Sequence, residues 1–115
     1  MAVHKHIRRN CYDDGEYYEE ILPTYYFGGK TDTEYVDLYL QTTMLRPANH
    51  ALELAAGTGR ATKILQKHAK KVSAVDINKN MLAVLKKRCT AVDAINENSA
   101  AFIQKRPLDC YDLLF

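Results

Sequence analysis

Between Ala51 and Asp76 the chain passes from one short apolar run to a second, and the joint after the first is Gly57-Thr58-Gly59. An apolar run that meets Gly-x-Gly turns sharply from strand into helix, because glycine reaches backbone angles closed to other residues. Such a turn brings main-chain N–H groups and a helix N-terminus up to a ligand. The second run, Val72-Ser73-Ala74-Val75, ends at Asp76, seventeen residues past Gly59. An acid at the tip of the next parallel strand is placed to accept hydrogen bonds from ribose hydroxyls. Together the loop and the acid outline a nucleotide-type cofactor site.

The rest of the chain fits around that unit. Thr31-x-x-Glu34 is a capping-box pattern that predicts a helix carrying Tyr35, Val36, Leu38, Tyr39, Met44 and Leu45, stopped by Arg46-Pro47. A strand over Ala51–Ala55 then leads through the glycine loop into a helix over roughly 61–69. After Asp76, Asn78 is a candidate cap for a helix with Met81, Leu82, Leu85 and Cys89 on its apolar stripe. A weaker strand near Ala91–Ile95, a short helical piece through Ala101, Phe102 and Ile103, and a closing strand over Cys110–Phe115 complete the alternation. Strands alternating with helices at this spacing imply an α/β fold, a three-layer Rossmann-like parallel sheet with right-handed crossovers. The segments divide into an N-terminal helical or lid segment, 1–46, and a cofactor-binding part, 47–115. An apolar parallel strand at Leu113-Leu114-Phe115 would be a bare sheet edge, so we expect either a continuation past the fourth strand or a partner that covers it.

Composition narrows the functional classes. A net charge of +2 over 115 residues is too weak to indicate nucleic acid by electrostatics alone. No run of about 18 apolar residues is present, and the start, Met1-Ala2-Val3-His4-Lys5-His6, has no apolar signal region, which leads us to expect the cytoplasm and no membrane. Three scattered cysteines, Cys11, Cys89 and Cys110, suit neither a disulfide framework nor a metal site. Cys89 and Cys110 read as small core residues. His4-x-His6 lacks a third ligand, so no metal is expected. The clusters Lys67–Lys71 and Lys86-Lys87-Arg88 read as solvated helix ends favoured by the helix dipole. The tyrosines between Tyr12 and Tyr26 suit either a lid or the packing of an N-terminal helix.

Two details bear on the cofactor. A dinucleotide turn wants a third glycine where this chain has Thr62, and Glu53, inside the first strand, is unfavourable beside a pyrophosphate. A ligand bearing an ammonium and a sulfonium suits Glu53 better. The segment Glu53-Leu54-Ala55-Ala56-Gly57-Thr58-Gly59 resembles the first motif of the class I S-adenosylmethionine-dependent methyltransferases, and Val75-Asp76-Ile77-Asn78-x-x-Met81-Leu82 resembles their second. The likeness covers about Ala51–Phe115. It implies that Glu53, Gly57 and Gly59 surround the methionine part of S-adenosylmethionine, with Ala55, Ala56 and Thr58 also among the cofactor-binding residues. By the same resemblance Asp76 holds the ribose hydroxyls, Ile77 packs on the adenine, Met81 sits near it, and Asn98 with Ser99 stands where an Asp usually meets the adenine amino group.

Three residues depart from the pattern. Ala55 replaces the first loop glycine, which is tolerable only at negative φ; Ala56 replaces a common cysteine or glycine; Asn98 keeps an acceptor but loses the charge. Bland readings stand beside these: Glu53 as a brace for the loop, Asp76 as a helix cap, Asn98 as a turn residue. The resemblance implies methyl transfer to an acceptor, for which a small molecule is expected, and no catalytic base is named. An NAD-dependent oxidoreductase and a non-catalytic binding module are the rival readings.

Overall fold

The computed structural model describes residues 32–115. The expected helix and loop over Tyr12–Phe27, the tyrosines there, the His4 and His6 pair and Cys11 lie outside those residues. The described chain runs α1 (Asp32–Thr43), β1 (Ala48–Leu54), α2 (Arg60–His68), β2 (Ala69–Asp76), α3 (Lys79–Arg88), β3 (Asp93–Asn96), α4 (Ser99–Lys105), β4 (Leu113–Leu114). All pairings are parallel and the sheet order is β3-β2-β1-β4. Parallel neighbours require helical crossovers, and their order reverses between β1 and β4, which is where an open α/β sheet forms its ligand crevice.

Alternation along the two central strands sorts the core into two faces. Ala51 and Val72 pack with Leu65 of α2 and Leu40 of α1, while Ala74 packs with Leu82 and Leu85 of α3. On the opposite face Leu52 and Val75 close over Phe102 of α4. The result is the expected three layers.

The boundaries differ from the sequence reading in instructive ways. β1 starts three residues early, at Ala48, because the Asp112 carboxylate accepts hydrogen bonds from the N–H groups of Asn49 and His50, each at 2.8 Å. Lys70 and Lys71 belong to β2 rather than to a helix end. In α1 Leu40 is buried, with Val36 and, just past the helix end, Met44 partly buried beside it, whereas Leu38, Tyr39 and Leu45 are exposed. β4 is only Leu113–Leu114, and Cys110 is exposed instead of in the core. The short run before β4 cannot bury Cys110 because Tyr111 and Leu108 take the inner positions beside Phe102.

Candidate functional site

At the C-terminal end of β1 the backbone makes two left-handed steps in three residues, Ala55 at φ 57° and Gly57 at φ 60°, before Gly59 at φ 88° starts α2. The positive angle at Ala55 corrects the expectation of negative φ there. A non-glycine residue in this region costs about 1–2 kcal/mol, and the surrounding bonds hold it: the Ala56 N–H donates to the Val75 carbonyl and the Gly59 N–H to the Ala56 carbonyl. The two glycines serve different ends. A Cβ on Gly57 would enter open space, but one on Gly59 would lie 2.8 Å from Leu85 Cγ. Gly59 therefore lets α3 pack on the loop, and Gly57 leaves the space above it clear.

That space is a cleft of about 250 Å³ lined by Glu53, Leu54, Ala55, Ala56, Gly57, Thr58, Arg60, Ala61 and Phe115. Of the residues expected to surround the methionine part, all but Gly59 line it. Glu53 is 3% exposed and accepts a 2.5 Å hydrogen bond from the Thr62 hydroxyl. Burial, reinforced by the nearby Asp76 charge and partly offset by the Thr62 bond, raises its carboxyl to a pKa of about 7. The Thr58 side chain is turned to the back of the loop, where Arg88 donates to its carbonyl at 3.2 Å. Phe115, Arg60 and Ala61 were not singled out in the sequence. Phe115 pairs with β1 through its N–H to Leu52 and its carbonyl from Leu54, and so forms one wall.

Asp76 at the tip of β2 is bound to this loop. One carboxylate oxygen accepts from the Gly57 N–H at 2.8 Å and the other from the Asn78 N–H at 2.7 Å. Each oxygen retains acceptor capacity for a further partner. The cap of α3 is Asn78, whose side chain accepts from the N–H groups of Asn80 and Met81. Ile77, 68% exposed, presents an apolar surface beside Asp76, and Met81, 5% exposed, is turned into the interior; none of these three residues lines the cleft itself. Asn98 caps α4, its side-chain oxygen accepting from Ala101 N–H at 3.1 Å, with Ser99 the first helical residue. This corner is linked to Asp76 by the Glu97 N–H, which donates to the Asp76 carbonyl at 3.1 Å. It lies beside the cleft and forms no part of its lining.

The donor and acceptor set has a definite chemical bias. Two carboxylates, one buried, flank a loop whose open side carries no side chain, and this suits a ligand with a cationic end and vicinal hydroxyls. A pyrophosphate would meet the Glu53 carboxyl. A family model described as a methyltransferase domain matches residues 51–114. The chain belongs to the class I S-adenosylmethionine-dependent methyltransferases.

A mitochondrial ribosomal RNA small subunit methyltransferase of Arabidopsis thaliana is 36% identical over 58 residues, 50% of this chain and 15% of that protein. Among solved structures, a ribosomal protein L11 methylase from Lactobacillus delbrueckii subsp. bulgaricus matches with a TM-score of 0.57 at 16% identity, covering 77% of this chain and 46% of that one. The N-methyltransferase NodS from Bradyrhizobium japonicum, in complex with S-adenosyl-L-homocysteine, matches at a TM-score of 0.55 and 17% identity, over 70% of this chain and 42% of that one. The methyltransferase chain thus spans less than half the length of each of these relatives. Family membership sets aside the oxidoreductase reading. The relative named for ribosomal RNA overturns the expectation that nucleic acid is not indicated. Net charge misled because it sums over the chain and hides how charge is distributed.

Proposed function

We propose that this chain holds S-adenosylmethionine over the Gly57 loop and donates its methyl group to an RNA acceptor. The observation that carries the donor half is the 2.8 Å hydrogen bond from Gly57 N–H to the Asp76 carboxylate, which joins the glycine loop of the first motif to the acid of the second. When bound, the cofactor supplies a methyl group already activated by a positive sulfur. The chain's own part is to orient and to exclude water, so the chemistry asks little of side chains as acids or bases.

Glu53 faces the cationic end of the ligand, and its raised pKa means that a nearby ammonium recharges it. Ala55, Ala56, Gly57 and Thr58 present backbone to the methionine part, and Gly59 acts from behind by seating the loop on Leu85. Asp76 offers its remaining lone pairs to the ribose hydroxyls. Ile77 covers one face of the adenine, Met81 supports that contact from the interior, and Asn98 with Ser99 flanks the adenine edge. The acceptor reading is supported by the identity shared with the ribosomal RNA methyltransferase.

Titration calorimetry with S-adenosylhomocysteine and with NAD tests the donor half. Binding of the former with silence toward NAD is expected, and the reverse would overturn it. Transfer of labelled methyl from the donor to total RNA tests the acceptor half; label recovered only in protein would overturn that part.

A further inference from the structure

Positive charge is unevenly placed along this chain. Between Arg60 and Arg88 the sequence carries nine lysines and arginines against one acid, Asp76, although the whole chain is only +2. The parallel topology gathers much of that charge at one rim, because α2 and α3 end where β2 begins. Lys67, Lys70, Lys71 and Lys86 are all exposed there. The helix dipole accounts for Lys67 and Lys86, in the last turns of α2 and α3. It does not account for Lys70 and Lys71, which stand in β2, where lysine has poor intrinsic preference.

The acids of the same rim have hydrogen-bond partners of their own, and the Lys67 charge also acts on Asp37. Asp37 is bonded to His68 and Gln41, Asp112 accepts from the backbone of Asn49 and His50, and Asp93 lies 3.5 Å from the Ser73 hydroxyl. Among the described residues no ion pair joins any of the four lysines to an acid. Four like charges spread over three elements suit an extended run of phosphates better than a single anion.

We propose that this rim binds the phosphate backbone of RNA. The inference deepens the RNA-acceptor reading and rests on it. The rim lies at the far end of β2 from Asp76, and eight strand residues span about 25 Å. Only an RNA long enough to reach across that distance engages rim and methyl-donor loop together.

Fluorescence anisotropy of the whole 115-residue chain with a labelled RNA of about 30 nucleotides, over roughly 50–300 mM KCl, provides the test. Four phosphate contacts predict a slope of log affinity against log salt of about −3 for a single strand. The quadruple variant K67E/K70E/K71E/K86E should lose at least about tenfold in affinity and most of that slope. Lys79→Glu, at the opposite end of α3, should change little. S-adenosylhomocysteine calorimetry on each variant confirms the fold and separates the two readings: donor binding without salt-dependent RNA binding overturns the rim while sparing the donor site. An equal loss in Lys79→Glu, a quadruple variant that binds RNA undiminished, or polyglutamate that binds as tightly as RNA would also overturn it.

Discussion

The two central strands and the two flanking ones support different loops at the C-terminal end of the sheet, and they are built to different standards. β1 and β2 are seven and eight residues long, and Leu52, Ala74 and Val75 at their centre are fully buried. β3 and β4 are four and two residues long, without a fully buried residue between them. The Gly57 loop, Glu53 and Asp76 hang on the central pair; Asn98 and Phe115 hang on the flanks. Groups at the centre are fixed by packing and by each other, so their loss should be felt in both stability and binding. Groups on the flanks should be felt weakly and locally.

The sharpest test of the central half is Gly59→Ala. It drives a methyl into Leu85 and demands a strained φ, and should cost about 3–4 kcal/mol of unfolding free energy by urea titration. A loss below about 1 kcal/mol would show that α3 is free to move away from the loop. Asp76→Ala comes next: two charge-assisted bonds to Gly57 and Asn78 vanish, so we expect about 2–3 kcal/mol of lost stability together with a loss of S-adenosylhomocysteine binding. Weakened binding with unchanged stability would mean that the loop does not depend on this carboxylate.

Glu53 adds a pH signature. Its folded pKa of about 7 lies above the ordinary 4.5, so the fold binds this proton more tightly than the unfolded chain does. Its contribution to stability is full below about pH 4.5 and is lost as pH rises to about 7, a fall on the order of 3 kcal/mol. Glu53→Gln should flatten that slope in urea titrations run across this window. Affinity for a ligand with an ammonium group should move the opposite way, rising with pH until Glu53 is ionised; affinity independent of pH would remove Glu53 from the cationic end. On the flank, Asn98→Ala removes one cap bond and should cost about 1 kcal/mol of stability, with less than about a threefold change in donor affinity. A tenfold loss of affinity would promote this corner to a principal contact.

The same division explains what could be read from the sequence. The central strands announce themselves by apolar runs and glycines, and the placing of Gly57, Gly59 and Asp76 followed from local spacing. Long-range partners did not. The Thr62 hydroxyl on Glu53 joins residues nine apart around a turn, and the early start of β1 depends on Asp112, 63 residues from Asn49. The α1 stripe was misread because several apolar residues there satisfy helical spacing, and only the position of α2 selects Leu40 for burial. Ala55 was expected to avoid positive φ on intrinsic grounds, yet the bonds around the loop impose it.

Whether the glycine loop and Asp76 face a common ligand is read by titrating the ¹⁵N-labelled chain with S-adenosylhomocysteine and following its amide resonances. Gly57, Ala56 and Asn78 should shift together along one saturation curve. Saturable binding that leaves those three amides unmoved would contradict a common ligand.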